Sequence, residues 1–150
     1  PPKEGLLLIL DRLRDPGNLG TILRSAWAAA VGQVVTSKGT VDIYNPKVVR
    51  GGMGAHFHLP LARDKEWPEI EPFLEGREVL LADAKGEVAY YEGDWRRPSA
   101  LIIGGEARGA GQEAKRLAQR RVCIPMPGGA ESLNAAVAAS IMLFEAARCV

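Results

Sequence analysis

The chain reads as an α/β domain: a mostly parallel sheet with helices on both faces. Three observations lead there. Short apolar runs alternate with helical patterns from end to end, as β-α-β units require. The 150 residues match one ordinary domain, long enough to bury a sizeable core. Hydrophobic residues make up 47% and charged residues 25%, close to globular averages, and no repeat or linker-like tract interrupts them.

Taken in order, Leu6 to Leu10 is a continuous apolar run, as expected of a strand buried on both faces, and Asp11 ends it. Asn18, closing the Asp15-Pro16-Gly17-Asn18 loop, caps a helix from about Leu19 to Val31. Gln33 to Thr36 is a second short strand. Asn45-Pro46 supplies the cap and first-turn proline of a short helix through about Gly51. Phe57 to Ala62 reads as a strand that Pro60 confines to an edge or a loop. Asp64 caps a helix carrying Trp67, Ile70, Phe73 and Leu74 and closed by Gly76. Glu78 to Asp83 and Ser99 to Ile103 are strands. Gln112 to Arg121 is a charged helix and Val122 to Pro125 a short strand. An alanine-rich helix from Leu133 to about Arg148 completes the pattern. It is apolar nearly all round, so it is buried on several sides, by the sheet or by a second subunit.

Composition narrows the function classes. The longest apolar run, Leu6 to Leu10, is far too short to span a membrane. Cys123 and Cys149 are too few for a disulfide framework, which points to a reducing, cytoplasmic setting. The net charge is +1, so any contact with nucleic acid must use local positive charge or another segment. His56 and His58 alternate along a predicted strand, but no further ligands stand at metal-site spacing, and no metal is expected.

In parallel sheets ligands bind beyond the carboxyl ends of the strands, which directs attention to the loops after Leu10, Ile103 and Pro125. The first leads into Asn18-Leu19-Gly20-Thr21-Ile22-Leu23-Arg24, where Gly20 lets a ligand or partner chain approach the helix and Arg24 is either a functional cation or a solvated surface arginine. The second, Gly104-Gly105-Glu106-Ala107-Arg108-Gly109-Ala110-Gly111, has four glycines in eight residues. A dinucleotide fingerprint fails here: Glu106 stands where its second glycine belongs, and no acidic residue closes the next strand. A carboxylate is also electrostatically wrong for a pyrophosphate and suits a neutral or cationic ligand, or a ligand hydroxyl. A plain glycine turn is the bland alternative. In the third, Ile124-Pro125-Met126-Pro127-Gly128-Gly129-Ala130-Glu131-Ser132-Leu133-Asn134, the apolar Ile124, Met126 and Leu133 could form a slot for a flat adenine. Ser132 or Asn134 either caps the last helix and nothing more, or also meets a ligand.

These three segments, in this order, resemble the three motifs of the SpoU branch of the SPOUT RNA methyltransferases, and the resemblance covers the chain from Leu6 to about Arg148. Two positions depart from the family pattern: Gly105 precedes Glu106, and Ala135-Ala136-Val137 follows Asn134 where a bulkier residue is common. The resemblance implies a single catalytic domain with a deep C-terminal trefoil knot. It implies that S-adenosylmethionine is held by Gly104, Gly105, Gly109, Ile124, Met126 and Leu133. It also implies a homodimer in which the Arg24 region of one subunit completes the site of the other. The expected reaction is methyl transfer to a ribose 2′-hydroxyl of RNA, with Arg24, Asn18, Glu106, Ser132 and Asn134 as the catalytic set. Family accounts make Arg24 the base. A guanidinium, however, is a donor that keeps its proton, so electrostatic stabilisation of the developing alkoxide is the safer role.

Large-subunit ribosomal RNA is expected ahead of transfer RNA, because the chain reads as the catalytic half of a longer protein, without a C-terminal extension and with its RNA-binding domain elsewhere. Arg12, Arg14, Arg50, Arg96, Arg97 and Arg108 are candidate phosphate contacts. The alternatives are a nucleotide-dependent oxidoreductase and a non-catalytic knotted module that binds RNA or a nucleotide.

Overall fold

A computed structural model describes residues 5–106 and 109–149. Its strands are β1 (Leu7–Asp11), β2 (Gln33–Ser37), β3 (Leu61–Lys65), β4 (Glu78–Ala82), β5 (Val88–Ala89), β6 (Ser99–Gly104) and β7 (Arg120–Cys123). Its helices are α1 (Pro16–Ala28), α2 (Pro46–Gly52), α3 (Trp67–Leu74), α4 (Gln112–Leu117) and α5 (Ala135–Arg148). The strands form one sheet in the order β3-β2-β1-β6-β4-β7-β5, and every pairing is parallel.

Strand alternation divides the core in two. Leu8 and Leu10 of β1 and Leu101 and Ile103 of β6 face Leu19, Ile22 and Leu23 of α1 and Ala139, Met142 and Leu143 of α5. Leu7, Ile9, Ala100 and Ile102 point the other way, to Ile70 and Leu74 of α3 and Ala114 of α4. The two central strands therefore read as unbroken apolar runs because neither face meets water. Each such buried Leu or Ile contributes roughly 1.5–3 kcal/mol. Against an α/β expectation, the sheet and its two-sided cover agree.

Several boundaries differ, for physical reasons. Helix α1 begins at Pro16, and its cap is Asp15, whose carboxylate accepts from the N–H groups of Gly17 and Asn18. Asn18 is thereby inside the first turn with its side chain released. The Asp15-Pro16 pair carries the same cap-and-proline signature as Asn45-Pro46, where Asn45 does cap α2. Residues Ala55–Phe57 form a 3-10 turn, and the edge strand starts only after Pro60, whose carbonyl accepts from Val34. His56 and His58 are consequently not strand neighbours: His56 Nε2 lies 2.7 Å from the Ile43 carbonyl, while His58 stacks on Trp27. Glu66, not Asp64, caps α3 through a reciprocal pairing with Glu69; Asp64 lies in β3 with a left-handed backbone.

The charged segment predicted as one helix from Gln112 to Arg121 splits. Helix α4 ends at Leu117, and Arg120 and Arg121 enter β7, paired with Leu80 and Leu81. Gln119 fixes the junction by donating its N–H to the Val79 carbonyl and accepting the Val79 N–H on its side chain. Sheet pairing outweighs helix propensity here. Helix α5 starts at Ala135, two residues later than expected, on the Asn134 cap.

Candidate active site

The carboxyl ends of β1, β4, β6 and β7 enclose a cavity of about 930 Å³. Every residue of the expected catalytic and cofactor sets except Arg24 lines it: Asn18, Gly104, Gly105, Glu106, Gly109, Ile124, Met126, Ser132, Leu133 and Asn134, whereas the candidate phosphate contacts Arg12, Arg14, Arg50, Arg96 and Arg97 do not. Three loops distant in sequence are brought to one crevice. Met142 of α5 and the Asp83-Ala84-Lys85 turn after β4 complete the wall. A smaller cavity of about 550 Å³ opens at the other end of the sheet, against Leu6, Trp95 and Leu143, and none of the motif residues reaches it.

Hydrogen bonds tie the loops together. The Glu106 carboxylate accepts from the backbone N–H of Arg14 (3.4 Å) and Asp15 (3.3 Å) and from Asn18 Nδ2 (3.3 Å). Asn134 Nδ2 donates to Asn18 Oδ1 at 3.0 Å, while Asn134 Oδ1 accepts from the N–H of Ala136 and Val137 at the start of α5. Glu106, Asn18 and Asn134 thus form one chain of contacts across the mouth. Ser132 is exposed at the rim.

The glycines of the second loop are a packing requirement. A Cβ on Gly104 would strike Gly109 and Ala110, and one on Gly105 would strike the Arg12 carbonyl. Gly109 has a left-handed backbone (φ 66°) and its N–H donates back to the Gly105 carbonyl. Ala107 and Arg108 lie outside the described residues. Beneath the loop, the fully buried Asp11 accepts the Gly111 N–H at 2.8 Å and the Ser37 hydroxyl at 2.7 Å. Sequence reasoning treats Asp11 only as the end of a strand. It also passes over the turn after β4, because chain order does not reveal that β4 lies between β6 and β7; the carboxyl-end rule applied to Asp83 would have found it.

Arg24 stands apart. It is exposed on α1, outside the cavity of its own chain, and pairs with no carboxylate among the described residues. Gly20 serves another purpose than expected: a Cβ there would meet the Val48 carbonyl at 2.9 Å, so its absence lets α2 cross α1 closely.

The cavity walls combine apolar surface with a few charged groups. Ile124, Met126, Leu133 and Met142 supply apolar surface, and the charged groups are Asp15, Asp83, Glu106, Lys85 and Lys115. Among the described residues three acids stand against two bases, a near balance of charge. Asp83 itself is engaged by Arg121 at 3.5 Å.

Comparison with known proteins follows the same lines. The model of the SpoU rRNA Methylase family matches residues 5–144. The human protein named rRNA methyltransferase 3, mitochondrial, is 38% identical over 195 residues, covering 95% of this chain and 46% of its own length. A Streptomyces viridochromogenes protein named 23S rRNA (uridine(2479)-2′-O)-methyltransferase is 37% identical, covering 99% of this chain and 54% of its own. Among solved structures, the SpoU methyltransferase AviRb from Streptomyces viridochromogenes in complex with AdoMet superimposes with a TM-score of 0.92 at 34% identity, covering 99% of this chain and 61% of that one. The chain spans about half the length of the curated relatives it matches.

Proposed function

We propose that this chain, which belongs to the SpoU rRNA methylase family, transfers a methyl group from S-adenosylmethionine to a ribose 2′-hydroxyl of RNA. The observation that carries the reading is the convergence of the three motif loops on one cavity at the strand ends. The relative named a 23S rRNA 2′-O-methyltransferase and the AdoMet complex of AviRb support the ribose chemistry and the cofactor. Ribosomal RNA is the substrate we favour, with transfer RNA as the second arm of the test.

In the transfer the O–CH₃ bond forms as the S–CH₃ bond breaks, the electron pair stays on sulfur, and the hydroxyl proton leaves to a phosphate oxygen or water. The residues of the chain contribute position and charge. Gly104, Gly105 and Gly109 shape a backbone wall, and Ile124, Met126 and Leu133 clamp a flat ring. Glu106, held by Arg14, Asp15 and Asn18, orients a hydroxyl. Asn134 sets the mouth through Asn18, and Ser132 contributes a hydroxyl at the rim.

The exposed Arg24 belongs, in this reading, to the site of a second copy. Support comes from α5, where Val137 and Phe144, seven residues apart on one helix face, are about half exposed. Ser140 of that helix meets Ser25, the neighbour of Arg24, at 2.8 Å. A trefoil knot is also part of the proposal: α5 follows β7 yet packs back on α1 and β6, two strands away. No helix among the described residues is long and apolar enough to cross a membrane, and two free cysteines suit the reducing cytoplasm. Transfer of tritium from labelled S-adenosylmethionine to unmodified ribosomal RNA tests the reading. Label in a 2′-O-methylnucleoside after digestion supports it; label in transfer RNA alone replaces the substrate; no label in either rejects it.

A further inference from the structure

The charged groups of the cavity are not equally engaged. All three of its carboxylates have partners. Asp15 accepts two N–H groups at the start of α1, and Glu106 accepts three donors from the loop after β1 and the first turn of α1. Asp83 accepts the N–H of Lys85 at 2.9 Å and faces Arg121 at 3.5 Å. The two ammonium groups differ. Neither Lys85 nor Lys115 meets a carboxylate among the described residues, although both line the cavity.

Both lysines stand on fixed backbone. The N–H of Asp83 donates to the Val122 carbonyl, and the N–H of Gly86 closes the turn on the Asp83 carbonyl. A Cβ on Gly86 would fall 2.7 Å from the Arg121 carbonyl, so the turn that carries Lys85 lies tight against β7. Lys115 follows the fully buried Ala114 on α4, and of the α4 side chains it alone lines the cavity; Arg116 bonds Glu71 at 3.0 Å instead. S-adenosylmethionine carries one anion, the carboxylate of its methionine end, beside a sulfonium and an ammonium. Ile124, Met126 and Leu133 offer a carboxylate no hydrogen bond, and Asp15, Asp83 and Glu106 repel it. When a ligand displaces water from these walls, an ammonium group regains what it loses only from an anion. A phosphate of the RNA has the same charge, yet the lysines share one cavity with the apolar slot for the ring of the cofactor.

We infer that Lys85 and Lys115 bind the carboxylate of the methionine moiety of S-adenosylmethionine. This rests on the cofactor reading above and adds to it two residues outside the three motif loops. Calorimetric titration of Lys85→Ala, Lys115→Ala and the double variant with two ligands tests it. S-adenosylhomocysteine keeps the carboxylate, whereas 5′-methylthioadenosine shares the adenosine and the sulfur but lacks the amino-acid end. Affinity for S-adenosylhomocysteine is expected to fall about fivefold per lysine, the upper range for an exposed ion pair. Affinity for 5′-methylthioadenosine should stay constant, and Lys85→Arg and Lys115→Arg should bind S-adenosylhomocysteine within about twofold of the native chain. Both side chains are exposed, so the melting temperatures should match that of the native chain. Equal losses for the two ligands, or unchanged S-adenosylhomocysteine affinity in the double variant, overturn the inference. A raised RNA KM with unchanged S-adenosylhomocysteine affinity overturns it in favour of a phosphate contact. A native chain that binds S-adenosylhomocysteine no better than the double variant defeats the lysines alone, whereas one that does not bind it at all defeats the cofactor reading as well.

Discussion

The amide nitrogen of Asn134 lies 3.0 Å from the amide oxygen of Asn18, while the other end of the Asn134 amide caps α5. One side chain therefore couples the start of the last helix to the first turn of α1. Replacement by Asp keeps an acceptor for the cap and removes the donor to Asn18; replacement by Ala removes both. Asn134→Ala is expected to cost about 1 kcal/mol of stability and to weaken S-adenosylhomocysteine binding. Asn134→Asp should keep the stability and show the binding loss. Thermal melts and calorimetric titration of the two variants check this.

Gly104 and Gly105 leave no room for a methyl group, since the Ala110 backbone and the Arg12 carbonyl occupy that space. Alanine at either position should destabilise the chain by roughly 2 kcal/mol and abolish cofactor binding. Gly128 is the control, because a methyl group there would meet nothing within 4 Å. Gly128→Ala should melt within about 0.5 kcal/mol of the native chain.

Arg24 lies outside the cavity formed by its own chain. Arg24→Ala is therefore expected to abolish methyl transfer while leaving S-adenosylhomocysteine affinity within severalfold. If its target is the site of a second copy, mixing Arg24→Ala with Asn134→Ala subunits should restore about a quarter of native activity, through mixed dimers with one intact site. Activity near the native level in Arg24→Ala alone would remove the residue from the mechanism.

Asp11 is fully buried and holds both Gly111 and Ser37. Asp11→Ala leaves a buried N–H and a hydroxyl without an acceptor, a loss of roughly 2–3 kcal/mol. The loop that it anchors lines the cavity, so denaturant unfolding and cofactor titration should both register the change.

Arg148 donates two hydrogen bonds to Glu145, at 2.7 and 3.1 Å. They hold the Glu145 carboxyl below its usual range, so the native state binds fewer protons than the unfolded chain. The stabilisation is then present above the ordinary carboxylate range and is lost as pH falls through the lowered value. Glu145→Gln should melt below the native chain at neutral pH, and the gap should close in acid.

What can be read in the chain is whatever depends on local pattern. The runs Leu7–Leu10 and Ala100–Ile103 declare a doubly covered parallel sheet, because burial on both faces forbids polar alternation. Asn45-Pro46 declares a helix start, and Asp15-Pro16 carries the same signal. The order of Asn18, Glu106 and Asn134 along the chain carries a family pattern. Their mutual contacts depend on which strands become neighbours, and β6 beside β1 and β4 is a property of the sheet as a whole. The end of α4 and the entry of Arg120 into β7 are decided by pairing with β4, which supplies a ladder that helix propensity does not anticipate. Asp11 reads locally as a strand terminator, yet a loop 100 residues later hangs from it. Local sequence specifies elements through backbone sterics and side-chain periodicity. Cavities, shared hydrogen bonds and the separation of Arg24 from its own crevice arise only when elements remote in the chain pack together, and the energy that selects that packing is spread over the whole core.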